Sequence, residues 1–126
     1  GLMAEARRDI GLLAVTSADR LNAGWTVALG AREQGVAHAQ SHIERLLADV
    51  PSPCGIVTVV DGHPATLAWI GAVKGHRTRP LGVEHFGQSG TIAALYRYFG
   101  LDAAGIMAAT NSVSNGRPLR FGARAF

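Results

Sequence analysis

Two runs of apolar residues limit the folds open to this chain more than any other feature: Ile10-Gly11-Leu12-Leu13-Ala14-Val15 and Gly55-Ile56-Val57-Thr58-Val59-Val60. Neither alternates apolar with polar positions. A strand with one wet face alternates; a strand covered on both faces reads as a continuous apolar run, as in parallel sheets packed under helices. A third and weaker run covers residues 79–83. Each run ends in polar loop residues: Thr16-Ser17-Ala18-Asp19, Asp61-Gly62-His63-Pro64 and Glu84-His85-Phe86-Gly87. The ends of such strands are where open α/β folds place ligands and contacts.

Helical patterns fill the intervals. Residues 41–47 put Ile43, Leu46 and Leu47 on one side, and Pro51 and Pro53 stop that helix. Pro64 suits a helix first turn. Leu67, Trp69, Ile70 and Val73 then make a largely apolar helix ending at Gly75. Ile92, Leu95, Tyr96 and Phe99 give a further helix, with Ser89 or Gly90 near its start, Gly100 as its stop and its apolar positions in the core. Asp102 is placed to cap a last short helix through Met107. Residues 17–39 are the least readable and hold a helix around residues 25–33, weakened by Gly30. The order strand, helices, strand, helix, strand, helix, helix predicts an α/β fold. The expected form is a three-layer αβα sandwich with a small, mainly parallel sheet over residues 1–109. From Thr110, Asn, Ser, Gly and Pro dominate, so residues 110–126 are expected to form a flexible tail. Three strands make a thin sheet, and the chain opens inside what reads as a helix. A strand preceding Gly1 and a fourth strand near residues 117–121 are therefore expected.

Composition narrows the function classes. A chain of 126 residues fits one domain, and 48% hydrophobic with 17% charged residues is a globular balance. The net charge of +3 is small, and no basic face interleaved with aromatics appears, which argues against nucleic acid as a partner. No apolar stretch approaches the ~18 residues of a membrane span. Arg7 and Arg8 stand where a secretion signal has its apolar run. The lone Cys54 excludes an internal disulfide and fits a reducing compartment, so the cytoplasm is the expected location.

Few side chains suggest chemistry. His38 and His42 share a helical spacing, but no third ligand accompanies them, so surface histidines are expected. Glu84 and His85 are adjacent on an extended segment and point to opposite faces, which disfavours an acid–base pair. Gly87-Gln88-Ser89-Gly90-Thr91 lacks the lysine and the glycine spacing of nucleotide loops and reads as a helix start, with anion binding as an alternative. Asp61, Gly62, His63, Glu84, His85, Phe86, Gly87, Gln88 and Ser89 are the candidate interface or anion-binding residues. No catalytic, cofactor-binding or metal residue is expected.

The stretch HFGQSGTIAALYRYFGLDAAGI resembles the C-terminal signature of the transketolase superfamily, a Phe-Gly-x-Ser loop leading into a helix and then Phe-Gly-Leu. LLAVTSADRL, GIVTVVDGHPATLAWIGAVKG and RPLGVEHFG resemble that domain's strand–helix units in the same order. Within the superfamily the detail is most similar to the homodimeric decarboxylating component of pyruvate dehydrogenase. The resemblance covers residues 1–109. It implies a transketolase C-terminal-like fold and a parent enzyme holding thiamine diphosphate and Mg²⁺ between two other domains. The parent would decarboxylate a 2-oxo acid, with pyruvate the expected substrate, and pass the acetyl group to a lipoyl carrier. The family's metal site uses Gly-Asp-Gly and a downstream Asn. This chain has Val60-Asp61-Gly62, and its next Asn is Asn111. The resemblance thus implies a domain without catalytic centre or cofactor, inactive alone, that packs on the remaining domains and supports a homodimer. Asp61, Gly62, His63, Phe86, Gly87 and Ser89 carry over as architectural positions. A transketolase parent, or a free-standing module binding an anion or partner at residues 87–91, are the alternatives.

Overall fold

A computed structural model describes residues 10–84 and 90–114. His85, Phe86, Gly87, Gln88 and Ser89 lie outside the described residues, as does the proposed fourth strand at 117–121. Eight elements follow in order: α1 (Ala18–Glu33), α2 (His42–Leu46), β1 (Ile56–Val59), α3 (Ala65–Ala68), α4 (Ile70–Lys74), β2 (Thr78–Leu81), α5 (Ile92–Tyr98) and α6 (Ala103–Ser114). The fold is a small α/β domain whose two strands run parallel, with Ile56 opposite Thr78 and Val59 opposite Leu81. Parallel neighbours need a crossover, and α3 and α4 provide it.

Local chemistry accounts for these boundaries. Ile56, Val57 and Val59 are β-branched residues that suit an extended backbone. Pro64 already has helical angles, φ −58° and ψ −26°, and leads the chain into α3. Gly75 ends α4 in the left-handed region at φ 74°, where a side chain would be strained. Ser41 starts α2 with a complete capping box: its hydroxyl accepts from the Glu44 N–H, and the Glu44 carboxylate accepts from the Ser41 N–H. The Thr91 hydroxyl accepts from Ala94 N–H at 3.1 Å and caps α5. Asp102 Oδ1 accepts from Gly105 N–H at 2.9 Å and caps α6.

The core centres on Ile43, Leu47, Leu67 and Ile70, with Val15, Leu21, Trp25, Ile56, Val60 and Trp69 packed around them. Trp25 of α1 stacks on Trp69 between α3 and α4, with ring centroids 5.4 Å apart. Two glycines let backbones meet. A Cβ on Gly71 would overlap the Thr78 hydroxyl, so α4 can lie against β2 only without one. A Cβ on Gly55 would overlap the Val113 side chain, and α6 settles on β1 there.

Four expectations change. Residues 10–15 form neither strand nor helix; Leu12 is 96% exposed, and Val15 alone of that run packs on the core. The run carries the pattern of a doubly covered strand, but no described element pairs with it. The sheet consequently has two strands among the described residues rather than three. Helix α1 begins at Ala18, seven residues before the expected start, since tertiary packing of Leu21 and Trp25 outweighs the weak local pattern. Helix α6 runs past Met107 to Ser114, because Ala109, Thr110 and Val113 are buried, and residues 110–114 are helix rather than tail. Finally, α5 buries none of its residues: Ile92 is 71% exposed and Tyr98 64%. Its apolar positions are not core among the described residues.

Candidate functional site at the carboxyl edge of the sheet

Both strands deliver their polar loops to the same edge. Val60 N–H donates to Leu81 C=O at 3.1 Å and closes the ladder. Immediately beyond it, Val83 N–H donates to Gly62 C=O at 2.6 Å, which ties the loop after β2 to the loop after β1. Gly82 makes that approach possible. A Cβ there would overlap Gly62 C=O and come within 2.8 Å of the Pro64 nitrogen. Asp61, Gly62 and His63 are thereby held beside Gly82, Val83 and Glu84. Sequence reasoning singled out Asp61, Gly62, His63 and Glu84, and the fold brings them to one edge. It did not single out Gly82 and Val83, which make the joint; a glycine directly after an apolar strand signals such a close backbone approach.

His63 has a defined role in the loop. Its Nδ1 accepts from Ala65 N–H at 3.1 Å, satisfying one of the donors left over at the start of α3. Neutral His63 must then carry its proton on Nε2, on an exposed ring. Asp61 and Glu84 are exposed as well, and Gly62 is half-buried. The arrangement is an exposed polar rim on a rigid joint. Its described residues offer exposed hydrogen-bond donors and acceptors for contact. Among the described residues no three His, Cys, Asp or Glu side chains gather where a metal could sit. His38 lies in a turn beyond α1 and His42 opens α2, so the two do not share one helix.

A concavity of about 310 Å³ opens between residues 13–17 and the first two helices, lined by Leu13, Val15, Arg20, Leu21, His42 and Leu46. The charged lock nearby belongs to the scaffold. Arg32 of α1 donates to Ala39 C=O at 2.7 Å and to both carboxylate oxygens of Glu44, at 2.6 and 3.2 Å. The Arg32 hydrogen bond, helped by those from Ser41, lowers the Glu44 carboxyl from 4.5 to about 2. Ser41-x-x-Glu44 was the legible sign of this cap; the partnership with Arg32 had none. No family model, curated protein or solved structure matches the chain. No helix among the described residues is long and apolar enough to cross a membrane.

Proposed function

We propose that this chain is the C-terminal domain of a thiamine-diphosphate-dependent 2-oxo acid dehydrogenase, with pyruvate as the first substrate to test. In this reading it packs against the catalytic domains, supports the dimer, and holds neither thiamine diphosphate nor Mg²⁺ itself. The observation that carries it is the joint between Val83 and Gly62. The two loops marked by the resemblance are the two loops that this hydrogen bond ties together. Asp61, His63 and Glu84 are all exposed there, as contact residues are and as buried catalytic groups are not. Their role is to present a firm polar edge to a neighbouring domain. The three-layer αβα arrangement belongs to the same proposal, with further strands completing the sheet.

The test is turnover. A parent protein containing this chain, given thiamine diphosphate, Mg²⁺, pyruvate and a lipoyl acceptor, is expected to release CO₂ and acylate the acceptor. The 126-residue chain alone is expected to do neither and to give no Mg²⁺-dependent heat with thiamine diphosphate in calorimetry. Decarboxylation by the chain alone overturns the proposal. A parent that moves two-carbon units from a ketose phosphate and ignores pyruvate replaces it with the transketolase reading.

A further inference from the structure

We infer that His63 is a proton-operated clasp on the carboxyl edge: the neutral ring holds the start of α3 through Nδ1, and the protonated ring lets go and adds a positive charge to the rim. Pro64 has no N–H, so Ala65 N–H is the first donor at the start of α3. His63 meets that start twice. Its backbone C=O accepts from Thr66 N–H at 3.0 Å. Its ring Nδ1 accepts from Ala65 N–H at 3.1 Å. The backbone contact is indifferent to pH. The ring contact belongs to one protonation state, because an unprotonated Nδ1 offers a lone pair whereas the imidazolium carries N–H on both nitrogens and accepts nothing. Histidine is the side chain whose charge changes between about pH 5 and 8. After that change two N–H groups would face each other, and the ring must turn away from Ala65.

The elements around the ring bring few other charges. β1, α3 and α6 carry no ionisable side chain, and α4 carries only Lys74, at its far end. β2 carries Arg79, whose guanidinium donates to Pro80 C=O at 3.3 Å. Among the described residues the charged groups that share the rim are Asp61, in the same loop, and Glu84, beyond β2. Release of the ring replaces one outward donor, Nε2–H, with two, and sets a cation beside those two carboxylates. The joint itself has nothing to titrate. Val83 N–H to Gly62 C=O, at 2.6 Å, runs from backbone to backbone. The loop therefore keeps its place while the ring swings, and the edge changes the hydrogen bonds and the charge it presents without unfolding. The inference concerns the rim's own chemistry and stands whether or not the parent is a 2-oxo acid dehydrogenase.

NMR on the isotope-labelled 126-residue chain tests it. With the His63 ring neutral, a coupling through the hydrogen bond between the Ala65 amide nitrogen and His63 Nδ1 is expected. It is expected to vanish as the ring gains its proton, with the Ala65 amide resonance moving along the same curve as the His63 Cε1–H. The Val83 amide is expected to stay protected from exchange, relative to an unstructured chain, at both ends of that curve. His63→Asn supplies a side-chain acceptor that does not titrate. It is expected to keep the Ala65 resonance at its capped value between about pH 5 and 8, with His85 and the other histidines left in place. His63→Ala is expected to hold Ala65 at the acid value throughout. No coupling from the neutral ring, or an Ala65 amide indifferent to the ring's titration, overturns the inference. So does an Ala65 titration that survives in His63→Asn, which assigns it to another group. Loss of Val83 protection in step with the Ala65 shift also overturns it, because acid then opens the whole edge and not the clasp. Should either variant fail to fold, the coupling and the Val83 amide of the unsubstituted chain decide. A coupling that disappears while Val83 stays protected supports the clasp, and any other outcome rejects it.

Discussion

Glu44 shows how one side chain joins two helices. It caps its own helix through Ser41 and reaches across to Arg32 of α1. Because its folded pKa, about 2, lies below 4.5, the stabilisation is complete above pH 4.5 and is lost as pH falls through the interval toward 2. Acid unfolding should therefore carry a carboxylate step in that window, and Glu44→Gln should remove it. Glu44→Ala is expected to cost about 1–2 kcal/mol at neutral pH in urea melts, since the cap and the ion pair go together. Thr58 illustrates the opposite case. Its hydroxyl is buried with no hydrogen-bond partner among the described residues. Thr58→Val removes that unsatisfied group and is expected to raise stability by about 1 kcal/mol, read as a higher melting temperature. The capping pattern at Ser41 and Glu44 stands in the sequence; the isolation of the Thr58 hydroxyl does not, because it depends on which atoms surround one face of β1.

Elements meet here through glycine. Gly82 lets the loops after β1 and β2 touch, and Gly82→Ala is expected to cost roughly 2 kcal/mol and to shift the resonances of Asp61, Gly62 and His63 together. A drop in stability with those resonances unmoved would show that the joint is not what Gly82 serves. Helix α5 separates pattern from packing. Its Ile92, Leu95, Tyr96 and Phe99 spacing is that of a buried stripe, yet Ile92 is 71% exposed. At this exposed position Ile92→Glu is expected to change stability by less than about 0.5 kcal/mol in urea melts; a buried position would lose several times that. Spacing told which residues form the helix and which face is apolar. It held no information on whether another surface reaches that face.

At the scale of the whole molecule, the buried cluster is small: it centres on Ile43, Leu47, Leu67 and Ile70, and among the described residues Ile43 alone is fully enclosed. The 126-residue chain should accordingly sit near the low end of domain stability, about 5 kcal/mol or less in urea unfolding. A value near 15 kcal/mol would mean that much more apolar surface is covered than the described residues cover. The amino-acid sequence by itself determined the α/β class, strand runs at residues 55–60 and 79–83 that overlap the observed strands, the stops at Gly75 and Gly100, and the polar residues that end each strand, because these follow from side-chain type and near-neighbour geometry. Only tertiary structure decided that residues 10–15 form no strand with another described element, that Ala109 and Val113 draw α6 beyond Met107, and that Val83 clasps Gly62. Each of those depends on contacts between segments far apart in the chain, where pairing and burial are set by what the rest of the fold brings near.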